Sequence, residues 1–407
     1  MISKKHQRGT HRSRSPQSTF DKISPFLKEM GITRIANITG LDHIGIPVVT
    51  VCRPASCAIS VAQGKGLDLI SAKVSGAMEA IETYHAEHID LPLKLASYNQ
   101  MSSKHHVVDV TGLPRLAFGT FSEHSQRLWI EGEELFTNTP IYIPYDVTHC
   151  NYTLPLPTGS GTFVMSSNGL ASGNSTEEAI VHGLCEVIER DALALWRVEK
   201  DHLSQQDTRL LKLDTVDDLD CLSVIKKYQA ADIDIQIWDI TSDIGLPSFY
   251  CKIAPKSKTT GPHYPSAGSG THPCKSIALL RALTEAAQTR LTMISGSRDD
   301  IEANNYQTST SSIRCIDSTS THGARSFQDI LSWNFEHFEH DIELILHKLN
   351  NVGLKQVGVV NLTKDDYQIP VVRVVVPGLE GIDESPGYVG GQRALKLNNS
   401  LTQGGEK

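Results

Sequence analysis

Nowhere in this chain of 407 residues does an apolar run approach the roughly 20 residues that a membrane-spanning helix needs. The opening MISKKHQRGTHRSRSPQSTF also lacks the hydrophobic stretch of a secretory signal, so a cytoplasmic protein is expected. Cysteine is present but unorganised. The eight residues (52, 57, 150, 185, 221, 251, 274 and 315) form no C-x-x-C pair and no cysteine–histidine group at zinc spacing, which predicts reduced thiols and neither disulfides nor a zinc site. No G-x-x-x-x-G-K-[ST] occurs, which excludes phosphate binding of the P-loop kind. Positive charge is scarce: the net charge is −8, and the only basic concentration, Lys4, Lys5, Arg8, Arg12 and Arg14, sits near the start. That composition predicts a disordered basic tail over residues 1–25 and argues against nucleic acid as a partner.

What the chain does have is a 39% hydrophobic content, enough for a large core. β-branched runs punctuated by Gly and Pro, as in ITGLDHIGIPVVTVCRPASCAISVAQGKGLD, predict short strands leading into a first helix. LWIEGEELFTNTPIYIPYDVTH predicts a hairpin and an extended segment, and DIDIQIWDITSDIGLPSFYCKIAP predicts two strands. Helices are expected from Ser175 to about Arg197, from Lys275 to about Ser295 and near 326–350. KQVGVVNLT and IPVVRVVVPGL follow as strands, and the Ser/Thr/Asn-rich residues 302–324 are expected to be a surface loop. Helices and strands mix without a strict βαβ rhythm, so the expected class is α+β, with one catalytic domain over 26–385 and a flexible polar tail over 386–407.

Three helices share one layout. In SGAMEAIETYHAEH, Ser75, Glu79 and Glu82 stand at i, i+4 and i+7 beside an apolar face of Val74, Ala77, Met78, Ile81 and Tyr84. Like charges one turn apart cost a few tenths of a kcal/mol in water and more at the edge of a core, a cost a cation would remove. In GLASGNSTEEAIVHGLCEVIERDALALW, Glu178, His182, Glu186, Glu189 and Arg190 share an arc opposite Ile180, Val181, Leu184, Val187, Ile188 and Leu195. In SAGSGTHPCKSIALLRALTEAAQTRL, Arg281, Glu285 and Gln288 repeat the first spacing. Taken singly, each stripe also fits a solvated face, a capping box (Ser175-x-x-Glu178) or an i, i+4 ion pair. Together, carboxylates without thiol or imidazole partners, two arginines, and the glycine segments QGKG, ASGNS and SAGSG ahead of the helices suggest a magnesium-nucleotide site. Magnesium prefers carboxylate and phosphate oxygens, and glycine lets backbone N–H groups approach an anion. Lys65 within QGKG could add a point charge for a phosphate.

SAKVSGAMEAIETYHAEH, GLASGNSTEEAIVHGLCEVIERDALALW and GSGTHPCKSIALLRALTEAAQTRL, in this order, resemble the three signature blocks of the YcaO family of ATP-dependent peptide-backbone-modifying enzymes. TGLDHIGIPVVTVCRP and QGKG match its usual opening. The resemblance covers roughly residues 30–380. It implies the YcaO fold, with sheets and packed helices around an ATP site, and ATP and Mg2+ as cofactors. It also implies that Ser75, Glu79, Asn174, Glu178, Glu186, Arg281 and Glu285, with Lys65, contact the nucleotide. Of these blocks, Glu79, Glu82, Glu178, Glu186, Glu189 and Glu285 are implied as metal ligands, and Glu82, Glu189, Arg190 and Arg281 as the catalytic group. Met78 departs from the basic residue that often stands there; Lys65 and Arg34 are substitutes on position alone. The C-terminus, GYVGGQRALKLNNSLTQGGEK, lacks the P-x-P-x-P end of azoline-forming members, and VVRVVVPGLEGI resembles members that act with a TfuA-type partner. The implied reaction is thioamidation of a peptide or protein substrate with an external sulfur donor, by a homodimer. An azoline-forming cyclodehydratase or amidine former is the alternative, and a non-catalytic nucleotide-binding accessory protein is the reading from another class. No side-chain nucleophile is implied, which leaves Cys57 and Cys185 as core thiols.

Overall fold

A strand that must lie flat against a helix needs small residues where the two backbones meet, and this requirement shapes the whole molecule. The computed structural model describes residues 1–202, 209–256, 266–301, 325–382 and 387–404. Helices are α1 (Pro16–Ile23), α2 (Leu69–Glu87), α3 (Tyr98–Ser102), α4 (Thr176–His202), α5 (Leu219–Ala230), α6 (Lys275–Ser295), α7 (Phe338–Asn351) and α8 (Gln392–Gly404). One antiparallel sheet runs β1 (Arg34–Asn37), β2 (Val48–Cys52), β3 (Val61–Lys65). A six-stranded sheet is built from β4 (Leu93–Ala96), β5 (Arg127–Glu134), β6 (Thr139–Pro144), β7 (Leu170–Ser172), β13 (Gly358–Asn361) and β14 (Val371–Val375), in the order β4-β5-β13-β14-β7 with β6 beside β5. A short parallel pair joins β8 (Leu211–Lys212) to β12 (Arg325–Ser326). A second three-stranded sheet runs β9 (Ile233–Asp239), β10 (Ser248–Pro255), β11 (Ser266–Thr271), with β10 central.

The glycine segments sit in this frame differently from the sequence expectation. QGKG and SAGSG are not free loops at helix N-termini; most of their residues belong to β3 and β11, the strands on which α2 and α6 fold back. A Cβ on Gly64 would lie 2.2 Å from the Gly76 nitrogen of α2, and one on Gly270 would lie 2.2 Å from the Ala278 carbonyl oxygen of α6. Both glycines are needed for helix-on-strand packing. The N-terminus of α2 is already capped by Asp68, whose carboxylate accepts the Ser71 N–H at 2.8 Å.

The hairpin β5–β6, the strands β9 and β10, and helix α6 fall where the sequence placed them. The expected helix at 326–350 is shorter, beginning at Phe338. Residues 325–337 instead form β12, a 3-10 turn and an extended stretch, held where Lys275 donates to the Phe327 carbonyl at 3.0 Å and the Trp333 N–H donates to the Pro273 carbonyl. The loop expected over 302–324 lies outside the described residues.

Both expected tails are folded. Lys4 is fully buried and its Nζ lies 2.6 Å from the Asp341 carboxylate, a partner far away in sequence. His6 and Arg12 exchange backbone hydrogen bonds at 2.9 Å, and Ser15 with Pro16 starts α1 as N-cap and first helical residue. At the other end α8 packs on α4: Arg393 grips Asp191 through two bonds of 2.9 and 3.0 Å, while Glu380 accepts the Gly391 and Ala394 N–H groups. Basic residues read as solvated are therefore paired with buried acids, and the divisions expected at residues 25 and 386 do not separate folded from unfolded chain.

Candidate active site

The three helices close a ring through the strands that precede them. Glu82 of α2 accepts the N–H and hydroxyl of Ser172, at the end of β7 ahead of α4, at 2.8 and 2.6 Å. Glu189 of α4 accepts the Ser269 hydroxyl at 2.8 Å and the Thr271 N–H at 3.0 Å, both on β11 ahead of α6. Glu285 of α6 meets Lys65, on β3 ahead of α2, at 2.8 Å. Each helix is thus pinned to the strand that launches the next, and the circle returns to its start.

Burial and neighbours then separate the carboxylates into two groups. Glu178, Glu189 and Glu285 each have a cation close by, Arg12 at 3.5 Å, Arg190 at 3.9 Å and Lys65 at 2.8 Å respectively. Glu178 is buried and accepts the Ser13 N–H and hydroxyl, both at 2.8 Å, and the Asn174 amide at 3.1 Å, with Arg12 Nε at 3.5 Å. Its carboxylate therefore turns away from the capping box expected of Ser175-x-x-Glu178, although the Ser175 hydroxyl does accept the Glu178 N–H. Burial pushes Glu285 upward, but the Lys65 ammonium and then Arg190 and Arg281 outweigh it and hold the carboxyl near 2. Glu79, Glu82 and Glu186 form no ion pair among the described residues. Burial raises Glu82 to about 8, against the Ser172 hydrogen bonds and with added repulsion from Glu79 and Glu186. Burial raises Glu186 to about 7 despite Arg190 and Arg281, and raises Glu79 as well despite Lys65 and Arg298.

Cations converge on the same space. Arg281 Nη2 and Arg190 Nη1 each lie 3.9 Å from Glu189, and the buried Arg281 Nε has no hydrogen-bond partner. A narrow cavity between the helices is lined by Arg12, Glu178, His182, Cys185, His272 and Arg281. Burial first, then neighbouring cations including Arg281, hold His182 and His272 well below the usual imidazole range, so both are neutral. Burial pushes the Cys185 thiol up to about 12, which leaves it a poor nucleophile.

Among the described residues, no group of three or more His, Cys, Asp or Glu side chains is placed to hold a metal ion unaided. The residues do fit a magnesium ion shared with phosphates, which takes one or two carboxylates and completes its shell with nucleotide oxygen and water. The donors are carboxylate oxygens, and three of the carboxylates are half-buried and form no ion pair among the described residues.

Ser75 is half-buried one turn before Glu79 on α2. Asn174 bridges Glu178 and Thr19, whose hydroxyl donates to Asn174 Oδ1 at 2.9 Å. Arg34 is not brought into the ring: it is exposed on β1, which pairs with β2 alone. Sequence reasoning missed Arg12 and Ser13, which reach Glu178 from a segment read as a solvated tail. The signal available was Ser15-Pro16, an N-cap followed by proline at the first helical position, which marks an ordered helix start.

A family model described as YcaO cyclodehydratase, ATP- and Mg2+-binding, matches residues 63–380. A protein of Rhizobium leguminosarum bv. trifolii, named for its position in the tfuA 3′ region, is 34% identical over 401 residues, covering 96% of this chain and 93% of that protein. A Methanothermobacter thermautotrophicus protein is 33% identical over 386 residues, covering 92% of this chain and 96% of its own length. Among solved structures, YcaO from Methanopyrus kandleri bound with AMPPCP and Mg2+ matches with a TM-score of 0.75 at 22% identity, over 96% of this chain and 99% of that one. A heterocyclase in complex with substrate and cofactor matches with a TM-score of 0.79 at 22% identity, over 99% of this chain but 56% of that one, so the chain spans little more than half of its length. These two likenesses show a shared fold.

Proposed function

This chain belongs to the YcaO family, and from that premise we propose that it uses ATP to activate a peptide backbone amide for replacement of the amide oxygen by sulfur from an external donor. The observation that carries the ATP site is the ring itself: Glu79, Glu82 and Glu186, half-buried and without ion pairs among the described residues, beside Arg12, Arg190 and Arg281. Such a cluster of uncompensated acids bordered by guanidinium groups suits an ion bound together with a polyphosphate. Glu79, Glu82 and Glu186 would hold magnesium, which supplies charge neutralisation to the phosphate oxygens when bound. Arg190 and Arg281 face the transferring phosphoryl group, where developing negative charge is spread over its oxygens. Glu189, held by Ser269 and Thr271, fixes the two arginines against the ring. Ser75, Asn174, Glu178 and Lys65 complete the walls around the nucleotide.

The chemistry balances without a side-chain nucleophile. Hydrosulfide adds to the amide carbon, and the resulting oxyanion attacks the γ-phosphorus of ATP as ADP leaves. Phosphate then departs with the former amide oxygen and a proton, leaving a carbon–sulfur double bond. Positioning and charge supply most of the rate. Thioamidation is favoured over cyclisation by one observation, the relative named for the tfuA 3′ region. A TfuA-like protein is the partner this reading calls for, and a homodimer is the assembly it carries over.

The family description and the heterocyclase fold support azoline formation as the second reading. Incubation with ATP, magnesium, sulfide and a candidate peptide, read by product mass, separates the two. Exchange of oxygen for sulfur is the expected result, loss of water supports cyclisation, and an unaltered peptide without phosphate release refutes both.

A further inference from the structure

Away from the ring, two arginines lack the acids that their neighbours elsewhere have. Arg127, on β5, is 2% exposed, yet its Nε and Nη1 have no hydrogen-bond partner. Arg115 is half-buried with its Nε likewise unpartnered. Both guanidinium groups lie over the half-exposed ring of Phe121, with centroid distances of 5.3 Å for Arg115 and 4.9 Å for Arg127, and Arg127 also stands 5.2 Å from Phe163. Stacking on aromatic rings offsets part of the cost of burying the charge, but it satisfies no N–H in the guanidinium plane. Neither arginine forms an ion pair among the described residues. Asp146, the acid whose charge acts on Arg127, is buried, has one oxygen without a partner, and cannot balance two cations. In a molecule of net charge −8 this is a local excess of positive charge with unused donors beside aromatic rings.

We propose that the cluster of Arg115, Arg127 and Phe121 is a subsite for a carboxylate side chain of the peptide substrate, an acidic residue next to an apolar one. A carboxylate matches the planar fork of a guanidinium and would satisfy the orphaned N–H groups, and Phe121 with the exposed Phe118 on the same segment offers apolar surface for the adjoining side chain. The cluster is tied to the ring. Arg115 pairs through its backbone with Phe163, and the chain from Phe163 reaches Ser172, the partner of Glu82, in nine residues. Those residues can span at most about 30 Å, so an extended peptide with its acidic residue within about nine positions of the reacting amide could occupy both places. The inference rests on the reading of a peptide substrate but not on which atom replaces the amide oxygen.

The test uses the full chain and two fluorescein-labelled peptides of about twelve residues, identical except that one carries Asp and the other Asn beside a Phe. Anisotropy is measured without nucleotide at low salt. The Asp peptide is expected to bind at least about tenfold more tightly than its twin, and Arg127→Met and Arg115→Met each to abolish the difference. Arg115 is half-buried, so its variant keeps the test valid should Arg127→Met fail to fold. Magnesium-ATP binding, measured separately, is expected to be unaltered in the folded variants, which keeps failure of the subsite distinct from failure of the ATP site. Equal binding of the twins, no binding of either, or a preference that survives Arg115→Met overturns the proposal.

Discussion

Glu285 and Glu82 occupy equivalent places in the ring, each reaching from a helix to the strand ahead of a neighbouring helix, yet their ionisation is opposite. Glu285 meets the Lys65 ammonium and is held near 2; Glu82 meets only the hydroxyl and N–H of Ser172, sits near two more carboxylates and is raised to about 8. The same architecture thus carries a closed joint at α6–β3 and an electrostatically open one at α2–β7. Burial alone would raise both groups. A charged partner in one joint and a neutral one in the other decides the difference.

Breaking the open joint has the largest expected effect. Glu82→Gln should lower phosphate release beyond the ~10–100-fold loss typical of groups that only support metal ligands, with the circular dichroism spectrum unchanged. Near-normal turnover would remove Glu82 from the site. The closed joint is broken by Lys65→Met, which leaves Glu285 buried and unpaired. Each side chain keeps a fifth of its surface in water, so the loss should be about 1–3 kcal/mol, below the ~3–5 of a fully buried pair; urea denaturation measures it.

A third experiment compares the joints by pH. Glu82 keeps its proton up to about 8 in the folded state against an ordinary value of 4.5, so between those values the folded state binds more protons than the unfolded one. Stability of the nucleotide-free protein should therefore fall as pH rises through that window, and Glu82→Gln should flatten the decline by up to about 1 kcal/mol per pH unit. Identical slopes in the two proteins would contradict the assignment. The smallest effect belongs to Ser172→Ala. It removes one bond that favours the ionised form of Glu82, at a cost of about 1 kcal/mol, so the pH of half-maximal phosphate release should move upward. A downward shift would show that Ser172 does not act through Glu82.

The two ends of the chain show why some features were legible and others were not. Helices α2, α4 and α6, their apolar faces and the carboxylate spacing were readable because helical periodicity is local. The glycines were noticed but misassigned: a glycine that frees an N–H for an anion and one that lets a helix lie against a strand look the same in one dimension. Residues 1–25 read as disordered because the acids that pair with Lys4 and Arg12, Asp341 and Glu178, are far away in sequence. The polar C-terminus hid a docked helix for the same reason, since Asp191, the partner of Arg393, is 202 residues away.

From sequence alone follow helices α2, α4 and α6, most of the core-forming strands, the family blocks and the set of acids and arginines, since each rests on residues within a few turns of one another. The tertiary structure decided which acids are neutralised, which remain protonated and where the termini lie. Those outcomes depend on burial and on partners 80 or more residues apart, and the energy of a charge is set by what surrounds it in space.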